Sequence, residues 1–185
     1  METAMKGVSD LRKHANTVIL LSNERLREVI KNHKLPDFVN IADDDLAFAF
    51  NGIIEAMQGV NGSKSSAIRS ILSGGLATLG VGESKDPVEA VEKAIDNILL
   101  ECPIEVAKAV LLIVKGSSKI GELEAKDLMN ARIRNPDAKV EVVMDLEEEL
   151  GETVRTILLV FLEGSCLPIN RPEPTYVKKA GKVAT

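Results

Sequence analysis

The pattern of hydrophobic and polar residues is most informative at residues 38–57, FVNIADDDLAFAFNGIIEAM. A run of three acids, Asp43 to Asp45, precedes a stretch in which only Asn51, Gly52 and Glu55 interrupt the apolar residues. A surface helix carries one apolar stripe, whereas a helix that is apolar on nearly every side is buried between other elements. The acids would occupy its first turns, where the helix dipole favours negative charge. The pattern predicts a long central helix with elements packed on both sides.

The residues before the central helix predict a short strand between two helices. Residues 1–14 are polar and favour a helix, and residues 17–21 (TVILL) form an apolar run typical of a strand. A polar cap at residues 22–23 can begin a helix over residues 24–32, and a break is expected at residues 35–37. One strand cannot form a layer by itself. We therefore expect this front segment to be the remnant of a larger domain, or to be completed by another chain.

The residues after the central helix predict a turn and a short helix, followed by alternating strands and helices. The clearest helix start is Asp86-Pro87-Val88-Glu89, which offers an N-cap, a proline at the first helical position and a glutamate three residues after the cap. A turn is expected at residues 59–63. The expected helices after it are residues 67–72, 88–98 and 123–133, and the expected strands are residues 76–82, 109–114, 140–144 and 154–162. This order predicts an α/β fold, more closely an α+β two-layer sandwich. Its mixed four-stranded sheet would carry two helices on one face, and the central helix would lie on the other face or at an edge.

Composition and charge exclude some functional classes. Apolar residues make up 45% of the chain and charged residues 28%, as in ordinary globular domains. The net charge of −5 argues against nucleic acid as a partner. The central helix is too short and too interrupted to cross a membrane, so no membrane contact is expected. Cys102 and Cys166 have no metal-binding or redox spacing, so we expect plain thiols in a reducing cytoplasm and no metal site.

Several of these segments, taken together and in order, resemble FtsZ, the tubulin-like cell-division GTPase. The resemblance runs from about residue 8 to residue 164, and it implies the C-terminal half of the FtsZ/tubulin fold. The segments that carry it are residues 23–26 (NERL), 41–46 (IADDDL), 51–53 (NGI), 80–83 (GVGE), 90–95 (AVEKAI), 99–101 (LLE), 110–113 (VLLI) with Gly116, and 148–152 (EELGE).

The resemblance also implies a division of the chain. Residues 1–37 would be the end of a nucleotide-binding domain, and residues 38–58 the core helix. Residues 59–164 would be the FtsZ/tubulin C-terminal domain. Residues 165–185 are polar with several prolines and lysines, and this composition predicts a flexible tail.

Two departures from the family pattern bear on chemistry. The glycine-rich phosphate loop of the family belongs before residue 1 and is not among these 185 residues, and the glycines of residues 74–75 and 80–82 are not expected to replace it. The catalytic loop of the family, Asn-x-Asp-x-x-Asp, falls on residues 59–67. Its three polar positions become Gly62, Lys64 and Ala67, and none of these is a carboxylate that could orient water. We expect these positions to have lost catalysis and to lie at an interface.

One nucleotide-binding position of the family is matched by Asp43, which corresponds to an acid that contacts guanine. The aromatic residue that stacks on the base falls at Val39, with Phe38 beside it. The plainer interpretation, which we favour, is that Asp43 and its two acidic neighbours charge the first turn of a helix. No cofactor is expected, and GTP binding by this chain alone is not expected.

Two functions are consistent with these observations. The first is a non-catalytic FtsZ/tubulin-like domain in cell division or a tubulin-like cytoskeleton, which contacts itself or another FtsZ/tubulin-like protein. The second is the C-terminal part of a GTP-binding cell-division GTPase whose nucleotide domain lies outside this sequence. A third, a small-ligand or regulatory domain that reuses the sheet, has no specific support.

Overall fold

The computed structural model describes residues 2–29, 35–59, 62–100, 102–116, 121–145 and 150–162. The helices are α1 (Glu2–Leu11), α2 (Asn23–Val29), α3 (Leu35–Gly59), α4 (Gly62–Leu72), α5 (Pro87–Asp96) and α6 (Glu122–Arg132). The strands are β1 (Thr17–Ile19), β2 (Gly75–Ser84), β3 (Ala109–Gly116), β4 (Lys139–Asp145) and β5 (Val154–Phe161), and a short 3₁₀ turn occupies Ile104–Val106.

The strands form one mixed sheet in the order β1-β2-β5-β3-β4. β5 lies antiparallel between β2 and β3, while β1 is parallel to β2 and β4 is parallel to β3. The prediction of a mixed α/β sheet is confirmed, but the sheet has five strands instead of four. The difference arises because β1 pairs with Gly75–Ala77 at the start of β2, so the backbone on that side of β1 is hydrogen-bonded within the same sheet and no second sheet is needed.

Helices cover both faces of the sheet. On one face, Ala90, Val91 and Ala94 of α5 and Ala125 and Met129 of α6 pack on the strands and are fully buried. On the other face, the core is formed by Ala49, Ile53 and Ala56 of α3 together with Ile68 and Ile71 of α4. β3 is buried along its whole length, as its continuous apolar run predicts for a strand covered on both sides.

The start of α5 follows the local sequence signal. The Asp86 side chain accepts a hydrogen bond from the Glu89 backbone N–H at 2.9 Å, and Pro87 occupies the first helical position. α5 lies very close to β2, because an added Cβ on Gly80 would meet the Ala94 carbonyl oxygen at 2.1 Å. Gly80 and Gly82 of β2 therefore serve helix–strand packing, because the space that a side chain would need is filled by the backbone of α5.

Two helix boundaries differ from the sequence prediction. α3 begins at Leu35, where a break was expected, because a proline in the first turn is compatible with a helix. Asp43 to Asp45 therefore lie in the interior of the helix, and the interpretation that they charge its first turn is wrong. α4 begins at Gly62, so part of the expected turn and loop of residues 59–67 is helical.

Three further predictions concern single features. Cys102 is disulfide-bonded, so the prediction of a plain thiol is wrong; sequence spacing alone does not reveal such a pairing. The tail predicted at residues 165–185 lies outside the described residues. Within the part of the chain that the structure describes, no helix has both the length and the apolar character needed to cross a membrane.

Candidate protein–protein interface around the central helix

One side of α3 packs on the sheet and the opposite side is open. Gly52 lies against the sheet, where an added Cβ would meet the Cδ1 atom of Ile157 at 2.3 Å. On the opposite side, Phe50 is 44% exposed and Ile54 is 50% exposed, and Ala47 beside them is also exposed. The prediction that this helix has elements on both sides is thus met on one side only within the described residues. Its outer side carries an apolar stripe of Ala47, Phe50 and Ile54 beside exposed polar residues such as Asn51.

A cluster around Arg155 attaches the first half of α3 to the sheet. The Arg155 guanidinium stacks 3.6 Å from the centroid of the Phe48 ring. Its Nη2 atom donates a hydrogen bond to Asp45 Oδ1 at 3.3 Å, and its Nε atom lies 3.1 Å from Glu83 Oε2 at the end of β2. The Nε contact lacks hydrogen-bond geometry, so its attraction is electrostatic. These contacts join α3 to both β2 and β5.

A second cluster, around Lys115, attaches the last part of α3. The Lys115 side chain is only 4% exposed, and its Nζ atom lies 2.5 Å from Glu55 Oε2 and 3.2 Å from Asp145 Oδ2. The same Nζ atom lies 5.9 Å from the centroid of the Phe48 ring. A buried ammonium group needs such acidic partners because desolvation penalises its charge. Glu55 of α3 and Asp145 of β4 supply them from two different elements.

Together, the two clusters fix how α3 crosses the sheet. A cation stacked on an aromatic face contributes about 0.5–2 kcal/mol, and a partly exposed ion pair about 0.2–1 kcal/mol. Because Arg155 comes from β5 and Lys115 from β3, the helix is attached at two separate strands. The exposed side of α3 is therefore presented in one orientation.

Asp45 and Asp43 differ in burial and in ion pairing. Burial raises the pKa of Asp45, and the nearby Arg155 charge offsets part of that rise. Asp43 is exposed and forms no ion pair among the described residues. Its proposed stacking partners, residues 38 and 39, have side chains outside the described set. The structure therefore places Asp43 on the helix surface, outside the contacts that Arg155 forms.

The three degenerate catalytic-loop positions lie together at the start of α4. Gly62 has a φ of 66°, in the left-handed region that glycine tolerates best. The Lys64 Nζ atom lies 2.6 Å from Glu122 Oε2 at the start of α6, while Ala67 is half-buried. About 24 Å of helix separates Asp43 from the end of α3, at 1.5 Å per residue, so Asp43 and these positions do not form one site.

An open cleft lies beside the end of α3. It has a volume of about 540 Å³ and is lined by Glu55, Ala56, Gln58 and Gly59 of α3 and by Val143, Met144 and Asp145 of β4. Among the described residues, no three His, Cys, Asp or Glu side chains converge as metal ligands. The chemistry available around α3 is therefore that of apolar contact and charge pairing.

Comparison with known proteins identifies the family. A family model for the FtsZ family C-terminal domain matches residues 75–161, which run from the start of β2 to the end of β5. The cell division protein FtsZ 1 of Methanocaldococcus jannaschii is 30% identical over 169 residues, which are 86% of this chain and 46% of that protein. The chain belongs to the FtsZ family. The resemblance inferred from the sequence is confirmed, and the matched domain is the C-terminal one.

Other FtsZ relatives agree. The cell division protein FtsZ of Methanothermobacter thermautotrophicus is 32% identical over 167 residues, 86% of this chain and 44% of its own length. The solved structure of an empty FtsZ dimer from M. jannaschii superposes with a TM-score of 0.74 at 29% identity, over 88% of this chain and 50% of that chain. A CetZ from Methanosaeta thermophila shares the fold at 16% identity, with a TM-score of 0.61 over 80% of this chain and 43% of that chain. This FtsZ-family chain spans about half the length of the curated relatives it matches.

The cation clusters of this FtsZ-family chain were missed by sequence reasoning. A signal for them exists, because Lys115 and Arg155 are the basic residues within two otherwise apolar strands. A cation in a buried strand requires a nearby acid. The acids Asp45 and Glu55 on the predicted central helix were available candidates, but their pairing depends on the tertiary fold.

Proposed function

We propose that this chain is a non-catalytic FtsZ-like domain that acts through contact with other proteins. It joins, caps or regulates a filament of an FtsZ/tubulin-like protein, or it assembles with its own copies. The observation that carries the proposal is the exposed apolar side of α3, formed by Ala47, Phe50 and Ile54. These residues share one side of the helix because they are three, four and seven positions apart. Exposed apolar surfaces of this kind mark sites of protein association.

The absence of carboxylates at Gly62, Lys64 and Ala67 supports a role without hydrolysis. A residue that orients an attacking water must accept its proton or hold its hydrogen, which an ammonium group does not do. In addition, Lys64 is engaged by Glu122, so its charge serves to connect α4 to α6. GTP is therefore not proposed as a ligand of this chain alone.

The relatives support association and a role in cell division. The curated relatives are named cell division proteins, and one similar solved structure is described as an FtsZ dimer. The net charge of −5 favours protein over nucleic acid as the partner. Because Cys102 is disulfide-bonded, the cysteines no longer argue for a reducing compartment, and the proposal of a cytoplasmic location depends on the family likeness.

Light scattering of an assembling FtsZ, with and without this chain, tests the proposal. We expect the chain to change the extent of assembly or the rate of GTP turnover. Ile54→Asp should reduce that effect at least several-fold, because a charge on the apolar side of α3 would have to be desolvated on contact. Val88→Asp is the matched control, since Val88 is a 40% exposed residue of α5 on the other face of the sheet. Unchanged assembly and turnover with the wild-type chain would contradict the proposal.

A second candidate function is supported by the length of the match. The chain aligns with only 46% of the first relative, which is consistent with the C-terminal part of a GTPase whose nucleotide domain is supplied elsewhere. Fluorescent GTP should not bind the chain alone, but it should bind after a separate FtsZ nucleotide domain is added. In that complex, Asp43→Ala should weaken GTP binding. Micromolar binding of GTP by the chain alone would contradict both candidates.

A further inference from the structure

The disulfide-bonded Cys102 lies between α5 and β3, just before the 3₁₀ turn at Ile104–Val106. The sequence contains two cysteines, and the second is Cys166. Within one chain, Cys166 is therefore the partner that the sequence offers for this bond. The two cysteines are far apart in sequence, which is why their spacing predicted no pair.

Cys102 and the end of β5 belong to the same buried core. Cys102 is 9% exposed and Leu162, the residue after β5, is 5% exposed, and both lie in the core on the face covered by α5 and α6. The two segments also meet through their backbones, since the Lys108 N–H donates to the Phe161 carbonyl at 2.9 Å. An extended chain spans about 13–14 Å over the four positions from Leu162 to Cys166. A bond between Cys102 and Cys166 is therefore within reach.

The segment that holds Cys102 is hydrogen-bonded to several elements. The Leu99 N–H donates to the Leu79 carbonyl of β2 at 2.8 Å, and the Leu99 carbonyl accepts from the N–H of Ser22, just before α2, at 2.7 Å. The Glu105 carbonyl accepts from the N–H of Arg134, which precedes β4, at 2.8 Å. A covalent bond at Cys102 thus ties the chain after β5 to a segment on which three other parts of the fold depend.

Cys102 is also reachable from solvent. It lines an open cleft of about 480 Å³, which Arg25 of α2 and Ile95 and Ile98 at the end of α5 also line. Small molecules bind in clefts of this volume, so a thiol of the size of glutathione has room to reach the sulfur. Cys102 lies outside the helices and strands, so cleavage of its bond leaves the hydrogen bonds of the sheet in place. These features favour a bond that opens in the folded chain.

We infer that Cys102 and Cys166 form a reversible disulfide, a redox latch that holds the chain after β5 against the segment between α5 and β3. Closing the redox latch removes one proton from each thiol and two electrons from the pair. A low-molecular-weight disulfide takes up these electrons and protons and leaves as two thiols. Opening is the reverse reaction, in which a small thiol attacks the bond and first forms a mixed disulfide with one cysteine.

The reversibility of the redox latch rests on the proposed cytoplasmic location. Cytosolic thiols are kept reduced, and the disulfides that form there are usually transient or redox-sensing. The redox latch lies on the α5 and α6 face of the sheet, whereas α3 covers the other face. It is therefore separate from the apolar side of α3 that carries the proposed protein contact.

Peptide mapping and a redox titration of the full chain test the redox latch. In the oxidised chain, trypsin should release residues 94–108 cross-linked to residues 156–178, and reduction should separate the two peptides. Glutathione buffers with an increasing reduced fraction should open the bond in the folded chain, and an oxidised buffer should close it again. A disulfide that joins two copies of the chain would overturn the redox latch. A bond that opens only in urea would also overturn it, because such a bond is permanent in the folded state.

Hydrogen exchange of backbone amides measures what the redox latch holds. On reduction, the amides of residues 97–107 should exchange about tenfold faster, because the segment loses its covalent tie and opens locally more often. The amides of α3, on the other face, should not change. Cys166→Ser should reproduce the faster exchange without reductant, whereas Ser165→Ala, the matched control, should exchange as the oxidised wild type does.

The reduced wild type gives the same measurement without any substitution, so the test does not depend on how well a variant folds. Equal exchange in the oxidised and reduced wild type would overturn the redox latch. That result would leave the proposed function untouched, because the effect of Ile54→Asp on FtsZ assembly is measured with both cysteines in place.

Discussion

Gly82 lies where β2 meets α5, and its replacement by alanine tests the packing of the matched FtsZ domain. An added Cβ would lie 2.0 Å from the Ala90 carbonyl oxygen and 2.5 Å from the Ala94 backbone nitrogen. Real Cβ atoms essentially never approach another heavy atom closer than 3.0 Å, so a gap of about 1 Å must open. Both clashing atoms belong to the helix backbone. A change of rotamer cannot relieve the clash, and α5 itself has to move.

The expected cost follows from what α5 buries. Ala90, Val91 and Ala94 are each 0% exposed, so moving the helix loosens fully packed contacts. Overpacking a core typically costs about 1–3 kcal/mol, and the loss of dispersion contacts adds to that figure. We expect Gly82→Ala to lower the free energy of unfolding by about 3 kcal/mol. For a chain of this size, that corresponds to a decrease in Tm of about 6–12 °C.

The assay is thermal and urea unfolding followed by circular dichroism. Gly7→Ala is the matched control, because Gly7 lies within α1 and an added Cβ there meets no atom within 4 Å. Alanine is the better helix former, so this control should be neutral or stabilising by up to about 1 kcal/mol. A Gly82→Ala protein that melts within a degree or two of the wild type would show that α5 does not lie against β2 in this way.

The remaining predictions concern buried polar groups. The Thr78 hydroxyl is buried and has no hydrogen-bond partner among the residues that the structure describes, whereas the Thr156 hydroxyl donates to the Ala90 carbonyl at 2.8 Å. Thr78→Val should therefore stabilise the chain by about 1 kcal/mol, and Thr156→Val should destabilise it by about 1 kcal/mol. Urea unfolding measures both changes, and equal effects of the two substitutions would contradict the difference in hydrogen bonding between the two hydroxyls. Burial raises the pKa of Asp45 above its usual 3.8, so the folded chain holds this proton more tightly than the unfolded chain. The wild type should accordingly lose stability relative to Asp45→Asn as the pH rises from 3.8 through the raised pKa of Asp45. The urea midpoints of the two proteins measure this loss, and a difference between them that does not change with pH would contradict the prediction.

Local chemistry made much of the fold predictable. The Asp86 cap with Pro87 and Glu89 predicted the start of α5, because a capped first turn depends only on adjacent residues. The continuous apolar run of residues 109–114 predicted β3, since a strand covered on both faces is apolar along most of its length. The errors in helix boundaries were at α3 and α4, where proline and glycine suggested breaks that the helices accommodate.

The candidate interface was less predictable than the fold. Lys64 and its two companion positions were recognised from the family pattern, but the ion pair that holds Lys64 joins residues 58 positions apart. The clusters around Arg155 and Lys115 involve contacts over 110 and 60 positions. No periodicity within a short window contains such pairs.

By itself, the sequence determined the elements, the family and the apolar character of the central helix. Each of these follows from the order of residues along the chain, because periodicity, capping and motif spacing are local properties. Only the tertiary structure decided that β1 joins the same sheet, that Ala47, Phe50 and Ile54 lie on the open side of α3, and that Arg155 and Lys115 pair with acids of α3. These properties depend on which distant segments meet, since exposure and charge pairing are set by neighbours in space.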